Sequence, residues 1–414
     1  MRAHLPHLHH LVESAPRSLA RLLLLAPVLA QGCLDPSSVG NTQSSGASYG
    51  FQVDTPTVVD NGGAKLTSPK IVTVTYGSDP SAAMFEAFTD KLVASSYWAQ
   101  TLFEYGIGAA TVVHVHATDA APASIATDTL ETYVDKQIAT SSESGWPAYD
   151  AKTIYVLLLP ASTKLDPTGC YHSETVVGAN AHVPIVVIDQ TDVGTRSTAD
   201  ALTENSVHEI SEGITNPHVL SDTAVVGFDA AHLAWNIFMP DAEIGDVCEG
   251  NADADYAGPM DLPFPLQRMW SNVGAHEGHN PCVPIPTDPY YNVTPLSLET
   301  ISVFVNTDTK ASTGLGYRVP IGTTKTIHVG YYSDAPIKAP WTLTAVEGSY
   351  FSPASNKRVT ITVGRGSGNT GDTDTLTITA NPNAEGAGNA VLVTLTSAAA
   401  GLPPHTIPML IGTY

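Results

Sequence analysis

Two different rhythms of apolar and polar positions run along the chain, and they change at about residue 290. Lys70-Ile-Val-Thr-Val-Thr-Tyr76 predicts a strand, and 81–97 predicts a helix in which Met84, Phe85, Phe88, Leu92 and Val93 share one face. A second strand is expected over 111–116 and a second helix over 124–138. The segment 153–159 is apolar almost throughout, as a strand covered on both faces would be, and 184–189 reads the same way. A third helix is expected over 197–215, with Thr198 or Thr203 as caps and Pro217 just beyond its end. This alternation predicts an α/β layer domain.

From 218 to 290 the period is lost in favour of Gly, Pro and Asp, the composition of a long segment that is functional or held by cross-links. Short runs in which Thr alternates with aliphatics then recur at 301–305, 324–330, 341–344, 359–363, 375–379 and 390–395. They predict an all-β sandwich of immunoglobulin-like size. The expected organisation is a leader over 1–32, a tether over 33–65, the α/β domain over 66–290 and the sandwich over 291–414.

Charge narrows the set of partners. Lys plus Arg number 18 against 40 Asp plus Glu, a formal charge of −22, so phosphate backbones would be repelled and nucleic acid is not an expected partner. No apolar run is long enough to span a membrane. The first residues instead carry Arg2, Arg17 and Arg21 ahead of the short apolar core Leu22–Ala30, the pattern of a signal peptide. Ala30-Gln31-Gly32-Cys33 follows and is similar to the cleavage box of bacterial lipoproteins, although Leu29 stands four rather than three residues before the cysteine. The expected product is exported and lipidated at Cys33, an outer-membrane or cell-surface lipoprotein that meets the membrane only through its anchor. Ordinary secretion to the extracellular space is the alternative. Of the remaining cysteines, Cys248 and Cys282 lie in the irregular stretch and are the favoured disulfide among three pairings, with Cys170 free or an unusual ligand.

The chemistry concentrates in Val207-His208-Glu209-Ile210-Ser211-Glu212-Gly213-Ile214-Thr215-Asn216-Pro217-His218. His208 and Glu212 are four apart on the expected helix and project from one face. The pattern is that of zinc peptidases, whose two histidines hold the metal while the intervening Glu is the general base, except that Glu212 replaces the second histidine. Carboxylates are competent zinc ligands, and a catalytic zinc takes three protein ligands and water. The third ligand has several sources. His218 stands ten residues after His208, the spacing of metzincins but without their intervening Gly. Glu243 and Asp246 in Glu243-Ile-Gly-Asp246 offer a ligand and its orienting partner, and Cys170-Tyr-His172 is a weaker source. No Gly-x-Ser-x-Gly, phosphate loop or dinucleotide fingerprint occurs.

Cys170-Tyr-His-Ser173, His208-Glu-Ile-Ser-Glu-Gly-Ile-Thr-Asn-Pro217, Glu243-Ile-Gly-Asp-Val-Cys-Glu-Gly250, Trp270-Ser-Asn272 and Cys282 follow one another in the order seen in the EXORDIUM / phosphate-induced protein family. The chain resembles that family over about residues 66–285. The resemblance implies export and a common fold, and it favours Glu243 and Asp246 over His218. Plant members are secreted to the cell wall and linked to growth; the leader and the β-domain of this chain depart from them. Two functions are therefore expected. One is a zinc-dependent, peptidase-like hydrolase with a zincin-like domain, in which Glu209 activates a metal-bound water to attack a protein or peptide. The other is a non-catalytic cell-surface lipoprotein that binds envelope glycans, another envelope polymer or proteins.

Overall fold

Five strands form the sheet that carries the site: β1 Lys70–Tyr76, β2 Thr111–Ala117, β3 Thr153–Leu159, β4 Tyr171–Val177 and β5 Ala181–Asp189, in the order β2-β1-β3-β5-β4. The structure is a computed structural model that describes residues 51, 53–77, 79–178, 181–251, 253–284, 288–348, 357–382 and 388–414. The leader, Cys33 and most of the tether lie outside the described residues. β1, β2, β3 and β5 run parallel, and β4 alone is antiparallel, paired with β5 at the edge. The apolar pattern does not reveal β4. His172 and Glu174 share one of its faces, so that face is polar where a core strand would alternate.

Helices lie on both faces of the sheet. On one face α1 (Ala82–Ala94) and α3 (Thr198–Thr215) bring Phe85, Phe88, Val207, Ile210 and Ile214 against Ile71, Ile154, Val186 and Ile188. On the other, α2 (Thr127–Ala139) packs Leu130, Val134 and Ile138 against Val72, Tyr155 and Val187. The helix expected over 81–97 is broken at Ser95, whose extended backbone starts a second short helix, Ser96–Leu102, and whose hydroxyl accepts from the Trp98 N–H at 3.1 Å. The second predicted helix begins three residues late, because Ser124–Ala126 pairs as a short strand with Lys164–Asp166.

Helix α3 is buried almost all round, which an amphipathic surface helix is not. Its outer side is covered by the stretch with no regular period: Ala224, Val225, Ile244, Val247, Leu266 and Trp270 join its core, and Thr203 Oγ1 donates to the Pro265 carbonyl at 2.7 Å. Gly213 makes the inner side fit, since a Cβ there would meet Ile154 Cδ1 at 2.9 Å, Val186 Cγ2 at 3.0 Å and His172 Cβ at 3.3 Å. Cys248 and Cys282 are joined in a disulfide that pins this covering segment.

Beyond residue 290 the chain forms two sheets that share one core. Labelled in chain order, Tyr291–Pro295 (β6), Thr324–Ser333 (β9), Thr373–Ala380 (β13) and Val359–Val363 (β11) make the first, in the order β6-β9-β13-β11. Glu299–Val303 (β7), Ser312–Arg318 (β8), His405–Gly412 (β15), Ala390–Ala398 (β14), Trp341–Glu347 (β10) and Ser367–Gly368 (β12) make the second, in the order β7-β8-β15-β14-β10-β12. Trp341 packs between Tyr291 and Tyr331 at the centre of this β-sandwich. A short helix, Leu233–Phe238, lays Ala234 and Ile237 on the outer face of the six-stranded sheet, against Val303 and Leu392. The molecule is thus a mixed α/β protein with sandwich-like β-sheets, and among the described residues no helix is long and apolar enough to cross a membrane.

Replacing both Cys248 and Cys282 by Ser reopens a 34-residue separation. Loop-closure entropy for a loop of that size predicts a loss of about 3–4 kcal/mol in unfolding free energy, measured by denaturant titration under oxidising conditions.

Candidate metal centre

Three long-range packing events assemble the site around α3. Antiparallel pairing with β5 sets His172 of β4 opposite Val186, above the turn of α3 that carries Gly213. The disulfide and the Trp270 N–H, which donates to the Ile244 carbonyl at 2.7 Å, hold Glu243–Asp246 over the outer side of the helix. The third event is at the C-terminus of α3, where Asn216 accepts from the Ala224 N–H at 2.7 Å and donates through Nδ2 to Glu243 Oε1.

Each carboxylate has one oxygen saturated and one turned inward. Glu212 Oε1 accepts from the backbone N–H groups of Gly245 (2.8 Å) and Asp246 (3.0 Å), which leaves Oε2 facing His208 Nε2 at 3.0 Å. Asp246 Oδ2 accepts from the Glu243 N–H at 3.1 Å, which leaves Oδ1 3.5 Å from the same His208 nitrogen. His208 is oriented from behind. Gln267 donates its amide to the Gly245 carbonyl at 2.8 Å, so its oxygen is the acceptor 3.1 Å from His208 Nδ1. A proton on Nδ1 follows, and Nε2 is the free donor nitrogen that faces two carboxylates.

His208 Nε2, Glu212 Oε2 and Asp246 Oδ1 fit a divalent cation on geometric grounds. Bonds of about 2.0–2.1 Å put neighbouring donors in a tetrahedral shell roughly 3.3–3.4 Å apart, close to the 3.0 and 3.5 Å found here. Imidazole with carboxylates is a donor set that zinc accepts. A second group lies beside the first: His172 Nδ1 is 3.4 Å from Glu209 Oε2 and 3.8 Å from Glu212 Oε2, while its Nε2 is 2.9 Å from Glu243 Oε2. Both His208-Glu212-Asp246 and His172-Glu209-Glu212 are sets that could hold a metal ion. The side chain of Glu212 is only 3% exposed and that of Asp246 42%, so the site opens to solvent on the Asp246 side.

Electrostatics reflect the crowding. Burial alone would depress both imidazolium groups. For His208 the charge of Glu212 and the bonds to Asp246 and Glu212 outweigh burial, and for His172 the charge of Glu243 and the bonds to Glu209 and Glu243 do so; both stand well above the ordinary histidine range. Glu212 is raised to about 7 by burial and by the Asp246 charge, against the pull of His208. In the metal-free protein, protons take the place a cation would occupy.

The fold therefore gathers His208, Glu209, Glu212, Glu243 and Asp246, and adds His172. Glu243 lies behind His172 as its partner rather than in either metal-binding set. His218 is placed elsewhere: its Nδ1 bonds Glu174 Oε2 at 3.1 Å, together with Ser221 and His182, because the chain turns away from the helix axis after Pro217. Cys170 is not a ligand. Its thiol is free, lies against Asp189 and Asn205, and is pushed far up by burial. Gln267 has no signal in the sequence. His172 has one, the Cys170-Tyr-His172 motif, but nothing local ties it to α3.

No family model matches the chain, and no curated protein matches it. Among solved structures, a Bacteroides ovatus GH5 xyloglucanase in complex with a XXXG heptasaccharide is 18% identical over 24% of this chain and 17% of its own, with a TM-score of 0.16. Domains 4 and 5 of the S-layer protein SbsC are 16% identical over 31% of this chain and 78% of theirs, with a TM-score of 0.17. A nucleoside hydrolase-related hypothetical protein from Saccharophagus degradans is 10% identical over 84% of this chain and 100% of its own, with a TM-score of 0.26. This chain thus spans less than a fifth of the xyloglucanase, and TM-scores of 0.16 to 0.26 establish no common fold with any of the three.

The raised groups set a pH dependence. Folded pKa values above the unfolded ones stabilise the metal-free protein at low pH, and for Glu212 that contribution is lost as pH rises through about 7. Its melting temperature should therefore fall between pH 6 and pH 9, while the stabilisation by added zinc should grow over the same range with release of protons, read by calorimetry in buffers of different ionisation enthalpy. Gly245→Ala is the structural counterpart. Its Cβ would stand 2.8 Å from Glu212 Oε1 and 2.9 Å from His208 Nδ1, and zinc affinity in a competition titration should drop about 10–100-fold.

Proposed function

We propose that this chain is an exported, zinc-dependent hydrolase acting on a protein or peptide substrate. The observation that carries the reading is the convergence of His208 Nε2, Glu212 Oε2 and Asp246 Oδ1 with Glu209 one residue from the first ligand. His208, Glu212 and Asp246 would hold the ion, Gln267 and the Gly245 and Asp246 amides would orient its ligands, and Glu243 would orient His172. A zinc ion held there supplies Lewis acidity toward a carbonyl and toward water. Glu209 is then the group that takes up a proton at Oε2 and returns it to the leaving amine. His172, 3.4 Å away, fixes that carboxylate on the inner side of the site.

The sheet supports a zincin-like assignment by analogy of fold: its one antiparallel strand is the edge beside the motif helix, where an extended substrate would lie. The sandwich is of immunoglobulin-like size and would serve as a spacer or binding module. The disulfide supports export, and the Ala30-Gln31-Gly32-Cys33 box supports a lipid anchor on Cys33. The resemblance to the EXORDIUM / phosphate-induced protein family is in keeping with export.

Glu209→Gln is expected to keep the zinc held by His208, Glu212 and Asp246, measured by elemental mass spectrometry at low free zinc, and to lose about 10²–10⁴-fold in hydrolysis of casein. His208→Ala should lose both. Wild-type protein that binds zinc and cleaves no protein substrate would leave a non-catalytic envelope-binding lipoprotein as the better reading, and full activity in both variants would overturn the site.

A further inference from the structure

We infer that the same buried cluster holds a second divalent cation, on His172, Glu209 and Glu212, and that this cation is inhibitory. The inference rests on the proposed hydrolase reading for its functional consequence, and on geometry and charge for the site itself. His172 Nδ1 lies 3.4 Å from Glu209 Oε2 and 3.8 Å from Glu212 Oε2, a donor set slightly looser than the first, with its 3.0 and 3.5 Å, and still within reach of one ion. Glu212 Oε2 is common to both sets, because Oε1 is already taken by the Gly245 and Asp246 amides. Ions that share a carboxylate in this way typically lie about 3.5–4 Å apart.

Both histidines have a partner behind them. Gln267 Oε1 stands behind His208 Nδ1, and Glu243 Oε2 stands 2.9 Å behind His172 Nε2. Glu243 is itself held at its other oxygen by Asn216 Nδ2. Glu243 meets His172 Nε2 as an ion pair without an aligned hydrogen bond, while Nδ1 faces the carboxylates of Glu209 and Glu212, the side from which an imidazole would bind a metal. Fixing Glu209 for the first site engages His172 through Nδ1, and Glu212 Oε2 stands 3.8 Å from the same nitrogen.

Charge gives an independent reason. Glu209, Glu212, Glu243 and Asp246 crowd together, and among the described residues their ion pairs are with His172 and His208, not with lysine or arginine. With both imidazoles neutral, as ligands must be, one divalent ion neutralises half of the four negative charges. A second neutralises the rest, where burial makes uncompensated charge costly.

The second ion takes the Glu209 carboxylate, the proton acceptor of the proposed reaction. Scarce zinc would fill the His208 set and leave Glu209 free; abundant zinc would fill both and stop proton transfer. The fold would then set an upper limit on the metal concentration at which the enzyme works.

The test is equilibrium dialysis of the full chain against a series of buffered free zinc concentrations, with bound zinc counted by elemental mass spectrometry. Wild type should rise to one zinc and then to two per chain. His172→Gln should stop at one, the first step in the same variant showing that it is folded. Glu243→Gln, which leaves every ligand in place, should shift only the second step, by about 10–100-fold. Casein hydrolysis should peak between the steps and fall as the second site fills. A wild-type plateau at one zinc overturns the second site and leaves the proposed function standing, whereas no bound zinc overturns both. A second zinc unaffected by either substitution lies elsewhere and overturns the assignment, and activity that rises with the second zinc overturns its inhibitory role.

Discussion

The carboxylate of Glu212 is buried on a helix with no surface of its own, and two backbone N–H groups from a distant loop reach one of its oxygens. A buried carboxylate is costly unless its lone pairs are met, and here Gly245 and Asp246 meet Oε1 while Oε2 is left to imidazole. That division decides where the inward-facing donors point. It also ties the loop 243–246 to the helix, so the loop's own residues Glu243 and Asp246 arrive at fixed positions. Gly245 is there because any side chain would occupy the space of the Glu212 and His208 atoms.

The scaffold explains why such a helix is stable. α3 is pressed on the sheet through Ile210, Ile214 and the gap left by Gly213, and roofed by Val247, Leu266 and Trp270. Its polar groups are satisfied one by one: Glu204 by Arg196, Ser206 and Thr215 by carbonyls of the preceding turn, His208 by Gln267. The roof has little regular structure, and the Cys248–Cys282 disulfide does for it what backbone ladders do for a sheet. Rigid support on both sides would keep the candidate ligand positions within the tolerance that metal binding demands.

The shell is asymmetric. Asp246 lies at the solvent side and Glu243 at the inner side, where its carboxylate faces His172 and Asn216. Glu209 lies on the His172 side of the cluster, with its carboxylate 3.4 Å from an imidazole that itself pairs with Glu243. Serving as proton acceptor in the proposed reaction, it would be constrained in position, which is what general base chemistry requires. The second donor set grows from the same crowding, and an ion held there would give the cluster a way to respond to metal supply.

The sequence by itself determined what depends on neighbours along the chain. The parallel strands were legible in runs of β-branched residues, and the common face of His208 and Glu212 follows from a spacing of four on any α-helix. The Cys248–Cys282 pairing could also be favoured from the irregular composition around both residues. What decided the remainder was tertiary packing. His172 meets Glu209 across 37 residues and Gln267 meets His208 across 59, through strand register and a roof that has no period to read. His218 shows the opposite case: its ten-residue spacing looks right for a ligand, yet Asn216 and Pro217 end the helix and the chain carries it to Glu174 instead. Spacing fixes a direction only while the backbone stays helical; once it leaves the helix, the partner is chosen by whichever buried carboxylate the folded chain brings near.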